Sequence, residues 1–394
     1  MIKYLLTFLW NSKRYFAGIF IEQMLVFIVL MICLVSLFDM LEKYYEPGLL
    51  DTENVVSLGY MAEGKLEMNK REELNRSLDA ILENMRQWEH VEGISESRSL
   101  VPYFREPEYY SADSITISGR KYYVHRKLAD ISAERVFKIE ITEGEWLHAL
   151  PDGSWPAVIT QQLVDEVDAG KKLIGTRIYD SRNFPYTIVG IASGIKEDVF
   201  TSAAPTIILP LQKREDDLFQ IYREICARIE PDYVEEFCNL SYRECKRLLP
   251  YFSEIDFGAK DMGVYKEQAM FSVTSRLKLI AIPTLFLVIF AFIGTLGLLV
   301  LNTQKRIQEF SLHRAMGATK SALMRLVILQ SLVLTLSASV PGILLSMIVF
   351  SFSLTHLLAL VVALGSMLLF SLFSACYPAW QIAQTNPAEI LHQE

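Results

Sequence analysis

Three groups of residues in this chain have the types that chemistry uses. The first is Gly317-Ala318-Thr319-Lys320-Ser321, a glycine, a lysine and hydroxyls in the order of a phosphate-cradling loop. Such a loop needs G-x-x-x-x-G-K-[ST], because its glycines let backbone N–H groups curl around the phosphates that the lysine reaches. Here Lys320 follows Thr319, and the nearest glycine before Gly317 is Gly297, inside an apolar run. The second group is His90, His125 and His148, with the acid pairs Glu143/Glu145 and Asp216/Asp217. No H-E-x-x-H, G-x-S-x-G or C-x-x-C unites them, so the acids are read as a solvated rim and no hydrolase is expected. The third is the cysteines Cys226, Cys238 and Cys245, read as core-facing free thiols, with a disulfide from Cys226 to either of the others as the alternative. No catalytic, metal or cofactor site is expected in this chain, nor a nucleic-acid partner.

The elements that would position such groups are set by an uneven charge distribution. From Leu326 to Ala388 there is no Asp, Glu, Lys or Arg, whereas 39–276 carries 42 acidic and 29 basic residues, a net of −13. A helix needs about 20 apolar residues to cross the hydrocarbon core. Four segments qualify: Ile19 to Phe38, Leu279 to Leu301 with Pro283 near its start, Leu326 to Phe350, and Leu357 to Tyr377, the last two divided near Phe352 to His356. The fold class expected is a membrane protein with four transmembrane α-helices and a large α+β extracytoplasmic domain between the first and second.

Lys and Arg in short flanking segments set orientation. Lys3, Lys13 and Arg14 precede the first span, and Lys305, Arg306, Arg314, Lys320 and Arg325 lie between the second and third against the single acid Glu309. Segments 1–18, 302–325 and 378–394 are therefore expected in the cytoplasm, with 39–276 outside. Val35 to Met40 has no small-residue cleavage pattern, so the first span reads as a retained anchor rather than a signal peptide. Met1 to Trp10 could lie in the membrane interface. Glu22, in the opening turn of the first span, is expected to snorkel to the cytoplasmic edge, and no span shows a buried polar track.

In the outside domain, Leu74, Leu78, Ile81, Met85 and Trp88 predict one face of a helix from about Lys70 to Trp88. Ser114 to Ser118 and Lys121 to Val124 flank Gly119-Arg120 as a hairpin. Further strands are predicted at Pro156 to Thr160, Thr176 to Tyr179, Tyr186 to Ile191, Thr206 to Leu211 and Ile225 to Ile229, with helices at Gln161 to Asp168 and after Pro231-Asp232. Alternation at this length implies an α+β domain, with room for two subdomains.

Between the second and third spans, Ile307, Phe310, Leu312 and Met316 recur at helical spacing before a break at Gly317. A short amphipathic helix there offers its stripe to a partner protein or lies on lipid headgroups. The residues alone leave both open.

The run Gln304 to Lys320, QKRIQEFSLHRAMGATK, resembles the R-x-x-E-[IF]-x-[IL]-x-R-A-x-G-A-x-[RK] signature of MacB/FtsX-type ABC transporter permeases. Tyr377 to Leu391 resembles that family's P-A-x-x-A-x-x-x-P-x-E-x-L ending, through Pro378, Ala379, Ala383, Pro387, Glu389 and Leu391. Glu143 to Leu147, Ala157 to Thr160, Ile174 to Thr176 and Tyr186 to Ile191 are similar to the extracytoplasmic domain of MacB-like members. Phe310-Ser311 stands where the family commonly has Ile-Gly, and His313 where Arg is frequent.

The resemblance implies a four-span permease subunit of the bacterial inner membrane that works as a dimer, homo- or hetero-, with an ABC-type ATPase that binds the ATP. With no nucleotide-binding domain before Met1 or after Glu394, that ATPase is expected on a separate polypeptide. It implies an ATPase-coupling role for Glu309, Phe310, Leu312, Arg314, Ala315, Met316, Gly317 and Ala318. It further implies export, efflux or lipoprotein handling by mechanotransmission, in which the substrate need not pass through the spans, with a periplasmic adaptor and outer-membrane channel as further partners. The alternative is a transmembrane signalling or scaffold subunit that activates an extracytoplasmic enzyme or sensor.

Overall fold

The computed structural model describes residues 13–62, 67–103, 112–167, 172–211, 223–350 and 352–384. In chain order these form α1 (Lys13–Tyr45), β1 (Val55–Ala62), α2 (Met68–Met85), β2 (Val91–Arg98), β3 (Ala112–Ile117) and β4 (Arg120–Ala129). There follow α3 (Ala133–Phe137), β5 (Ile141–Gly144), β6 (Trp155–Thr160), α4 (Gln161–Val167), β7 (Arg177–Tyr179), β8 (Pro185–Ala192) and β9 (Thr206–Pro210). The remainder is β10 (Glu224–Ile229), α5 (Val234–Leu248), β11 (Ile255–Asp261), α6 (Met262–Lys305), α7 (Ile307–Ala315), α8 (Lys320–Val349) and α9 (Leu354–Gln384). Two compact units result, Lys43–Ser272 and the pair of segments Met1–Glu42 with Val273–Glu394.

The soluble unit has two parts, one sheet-on-helix and one barrel. Strands β11-β1-β10-β2 make an antiparallel sheet. Val56, Leu58, Ile94, Ile225, Ala227 and Phe257 point to one face of it, where Leu74, Leu78, Ile81 and Met85 of α2 and Phe237 and Cys245 of α5 cover them. Side chains alternate along a strand, so Cys226, between Ile225 and Ala227, faces the other side and packs with Val55, Val136 and Met262. Cys226 and Cys245 therefore lie in separate cores, and all the cysteines are free thiols. That geometry removes the disulfide alternative.

The second part closes on itself: β4 pairs β3, β3 pairs β7, β7 pairs β8, β8 pairs β6, β6 pairs β9, and β9 returns parallel to β4 through His125↔Thr206 to Ala129↔Pro210. Ile115, Ile117, Val124, Ile159, Ile178, Ile188 and Ile207 fill the interior, and closure removes the unpaired edges. The β3–β4 hairpin turns on Ser118 and Gly119, both at positive φ (49° and 80°), as a two-residue turn that matches strand twist. The four stretches that resemble the family's outer domain meet around β8, which pairs with β5 and β6 and accepts Gly175 N–H at Ile188 O, 2.8 Å away. Gly144 and Gly190 let two backbones cross there: a Cβ on Gly144 would stand 2.3 Å from Val189 O, and one on Gly190 2.2 Å from Glu145 O.

Strands β1, β2, β5 and β11 lie where no strand is predicted from the sequence. In β2, Glu96 and Ser97 find their partners in residues distant in the sequence. Glu224, at the start of β10, accepts Ser97 Oγ (3.0 Å) and the N–H groups of Ser99 (2.9 Å), Leu100 (3.0 Å) and Val101 (3.2 Å). Arg223 reaches Glu96 (2.7 Å) and Asp79, and Lys127 donates to Ser99 O at 2.6 Å. Burial pushes Glu224 above the usual carboxylate range and Lys127 below the usual lysine range. Helix α1 runs past Phe38 to Tyr45, and the buried ammonium of Lys196 takes up carbonyls at its end, those of Lys43 and Glu46 (3.1 Å).

Among the described residues, four helices are long and apolar enough to cross a bilayer: 17–45 within α1, α6, α8 and 354–382 within α9. Small residues bring them together: Ala359, Ala363 and Met367 of α9 pack with Phe27 and Met31 of α1 and Ala291 of α6. Glu22, half-buried, turns toward α6. Its carboxylate occupies the space left by the absent side chain of Gly294, where a Cβ would stand 2.4 Å from Oε1, and it faces Thr295 Oγ1 at 3.5 Å. Buried polar contacts between spans are local: Thr335 Oγ1 donates to Gln23 Oε1 (2.9 Å), and the Ser331 and Ser371 hydroxyls meet at 2.7 Å. These are single bonds between helices, the kind that tie spans together.

Candidate coupling surface

Between α6 and α8 the chain makes two turns in 14 residues. Arg306, with non-helical backbone (φ −107°), ends α6 and starts α7. At the far end, Gly317 N–H bonds Arg314 O (3.1 Å) and Ala318 N–H bonds His313 O (3.0 Å), with Gly317 at φ +97°. That is a Schellman end, in which the left-handed residue is glycine because a side chain is strained there. Thr319 then caps α8, its hydroxyl accepting Ala322 N–H at 3.2 Å. Gly317 stops a helix, and no loop curls here around a phosphate.

The apolar stripe expected on α7 divides. Phe310, 3% exposed, turns inward and packs with Leu323 and Val327 of α8 and Ala379 and Ile382 of α9. Leu312 (55%) and Met316 (69%) turn outward, with Ala315 and Gly317 beside them. The loop motif and the tail motif therefore share one small core although about 70 residues separate them. Pro378 and Ala379 are buried within α9, and Ala383 belongs to the same helix. Pro387, Glu389 and Leu391 lie outside the described residues.

Arg306, absent from the expected coupling residues, organises the surface. Its Nε bonds Glu309 Oε2 at 2.9 Å, its Nη1 bonds Gln330 Oε1 at 3.3 Å, and its guanidinium lies 4.8 Å over the Phe310 ring. A planar fork can hold a carboxylate and an amide while stacking on an aromatic face, which a lysine cannot. Arg306 stands in the R-x-x-E signature, but spacing alone does not reveal that it clamps the helix it precedes. Glu309 is exposed and held by this pair, while Arg314 and Ala318 are half-buried.

Among the described residues the outer-domain histidines do not converge, and Asp216 and Asp217 lie outside those residues. His90 pairs with Glu230 (2.8 Å), His125 lies 3.7 Å from Glu197, and His148 contacts Trp146 O (2.9 Å). Burial raises the Cys238 thiol to about 11 and the Cys245 thiol to about 12, leaving both protonated and inert at neutral pH. Among the described residues no group of three or more His, Cys, Asp or Glu is placed to hold a metal ion.

Four apolar helices and an α+β domain between the first two define a multi-pass membrane protein. Residues 281–387 match the family model of the FtsX-like permease C-terminal domain, a match that supports a permease subunit of an ABC transporter. No curated protein sequence matches the chain. Among solved structures, a permease domain from Porphyromonas gingivalis is 13% identical, covering 53% of this chain and 91% of its own, at TM-score 0.37. The extracellular domain of the noncanonic ABC-type transporter YknZ from Gram-positive bacteria is 10% identical, covering 52% and 99%, at TM-score 0.33. The periplasmic region of MacB from Actinobacillus actinomycetemcomitans is 10% identical, covering 55% and 92%, at TM-score 0.36. The family match is confined to 281–387, and likenesses at these TM-scores carry no argument.

Proposed function

We propose that this subunit couples ATP hydrolysis by a separate ABC-type ATPase to movement of its extracytoplasmic domain, for export or lipoprotein handling by mechanotransmission. The observation that carries the reading is the division of α7: Phe310 and Arg306 fix the helix from behind, while Leu312 and Met316 stand exposed in front. Exposed apolar side chains on a fixed short helix suit a partner protein, because such a helix cannot bury its own stripe. The helix that would carry displacement is α6, which ends at Lys305, two residues before α7 begins, and continues back to Met262 beside β11 in the sequence.

The loop's five basic residues against Glu309 support a cytoplasmic position, and with four spans both termini lie there, in a bacterial inner membrane. A second permease copy supplies the other coupling helix, and an adaptor with an outer-membrane channel completes an efflux assembly. Leu312→Asp places a charge on the exposed face without touching the Phe310 core. In proteoliposomes with the cognate ATPase it is expected to lower permease-stimulated ATP hydrolysis about tenfold or more, as loss of an interface anchor does. Glu309→Lys should act in the same direction by also releasing Arg306. Unchanged stimulation in a correctly inserted Leu312→Asp protein would sink the assignment.

A further inference from the structure

In the soluble unit, a groove of about 320 Å³ opens where the turn before β2 meets the start of α5. Its floor is aromatic: Trp88 and Phe237 meet nearly edge to face with ring centroids 5.8 Å apart, and Tyr233 lies alongside. His90 holds a left-handed backbone (φ +69°), and its ring lies flat on Tyr233 at 3.4 Å while Nδ1 sits 2.8 Å from Glu230 Oε2. A non-glycine residue in that conformation is held there by its surroundings. Here the stack and the pair with Glu230 do so, and they fix the Tyr233 face.

The rim is acidic. Glu89 and Glu236 line the groove, both are exposed, and neither has an ion-pair partner among the described residues. The lining contains no lysine or arginine. Two carboxylates without an ion-pair partner, one of them in the first turn of α5, stand over aromatic side chains and make an acidic-rimmed pocket with an apolar floor.

We propose that this groove binds an organic cation with an apolar body, an aryl or branched-alkyl ammonium. Trp88 and the face of Tyr233 that His90 leaves uncovered attract a cation through the ring quadrupole, and the two carboxylates supply the countercharge. An anion is repelled by Glu89 and Glu236, and a neutral apolar molecule leaves their charge unanswered. The volume lies at the small end of ligand sites, too little for a partner helix and enough for a ligand of small-molecule size. The proposal is independent of ATPase coupling and stands or falls on this groove.

The test titrates the full chain in neutral detergent with benzyltrimethylammonium, using benzyl alcohol as the uncharged comparator and benzoate as the anion. Saturable binding of the ammonium is expected, read by ligand-observed NMR and by quenching of the emission lost in Trp88→Phe. Benzyl alcohol should bind about tenfold more weakly or worse, and benzoate not at all. The double variant Glu89→Gln, Glu236→Gln should weaken the ammonium about tenfold. Both positions are exposed, so an unchanged melting curve will show that the fold persists. Equal binding of benzyl alcohol would make the groove a plain apolar docking surface and overturn the proposal. So would unaltered affinity in the double variant, or no saturation by the ammonium.

Discussion

Glu224 in the soluble unit and Ser331 in the membrane unit are both buried, yet their surroundings answer them differently. The Glu224 carboxylate gathers three backbone N–H groups from the loop after β2 and the hydroxyl of Ser97 within β2, so one side chain satisfies a turn that has no ladder of its own. Ser331 meets one hydroxyl, Ser371, across the α8–α9 interface. Helices in a bilayer satisfy their backbones internally, so nothing there requires a charge. Buried polarity organises backbone in one unit and only ties finished helices in the other.

The comparison can be broken first at Glu224. Glu224→Ala orphans four donors and leaves Lys127 without its buried neighbour, and is expected to cost on the order of 3 kcal/mol of soluble-unit stability. A denaturant titration of the full chain, read by Trp146 emission beside that core, measures it; a loss below about 1 kcal/mol would remove the contrast.

A smaller effect is expected at Asp130, which accepts Ser95 Oγ (2.8 Å) and Glu96 N–H (3.1 Å). Burial raises its carboxyl above the ordinary value despite those bonds. A raised folded value means the folded chain holds this proton more tightly than the unfolded one. The group's stabilising contribution is therefore full below the unfolded value near pH ~4 and is lost as pH rises through the folded value. Stability of the native chain relative to Asp130→Asn should increase as pH falls from 7 toward 4; a flat difference contradicts it.

The smallest effect belongs to the membrane unit. Ser331→Ala removes one interhelical bond and should cost about 0.6 kcal/mol, the size typical of such bonds in bilayers. Steric trapping or a detergent-denaturation series would show it, and a loss matching that at Glu224 would mean the two units are held alike.

Legibility in the sequence followed the range of the interactions. The helix face Leu74, Leu78, Ile81, Met85 and the β3–β4 hairpin were readable because a helix and a two-residue turn are local patterns. β1 and β11 were not, since their sequences mix polar and apolar residues and become strands only beside each other. At the loop, the spacing indicated a short helix ending at Gly317, but the sequence could not tell that Phe310 faces in while Leu312 and Met316 face out. That choice depends on Ala379 and Ile382, two turns into a motif at the other end of the membrane unit.

What the sequence determined by itself was where the bilayer solvates the chain, that a short helix with a glycine stop joins two spans, and that no phosphate loop lies there. Hydrophobic length, charge spacing and φ-permissive residues are properties of neighbours in the chain. Tertiary structure alone decided that β9 returns parallel to β4 to close a barrel, and that Cys226 and Cys245 face opposite sides of one sheet. It alone set Arg306 to clamp the helix after it, and Trp88 and Tyr233 to frame an acidic-rimmed groove. Each of these joins residues far apart in sequence or selects one face among several, and only packing makes that selection.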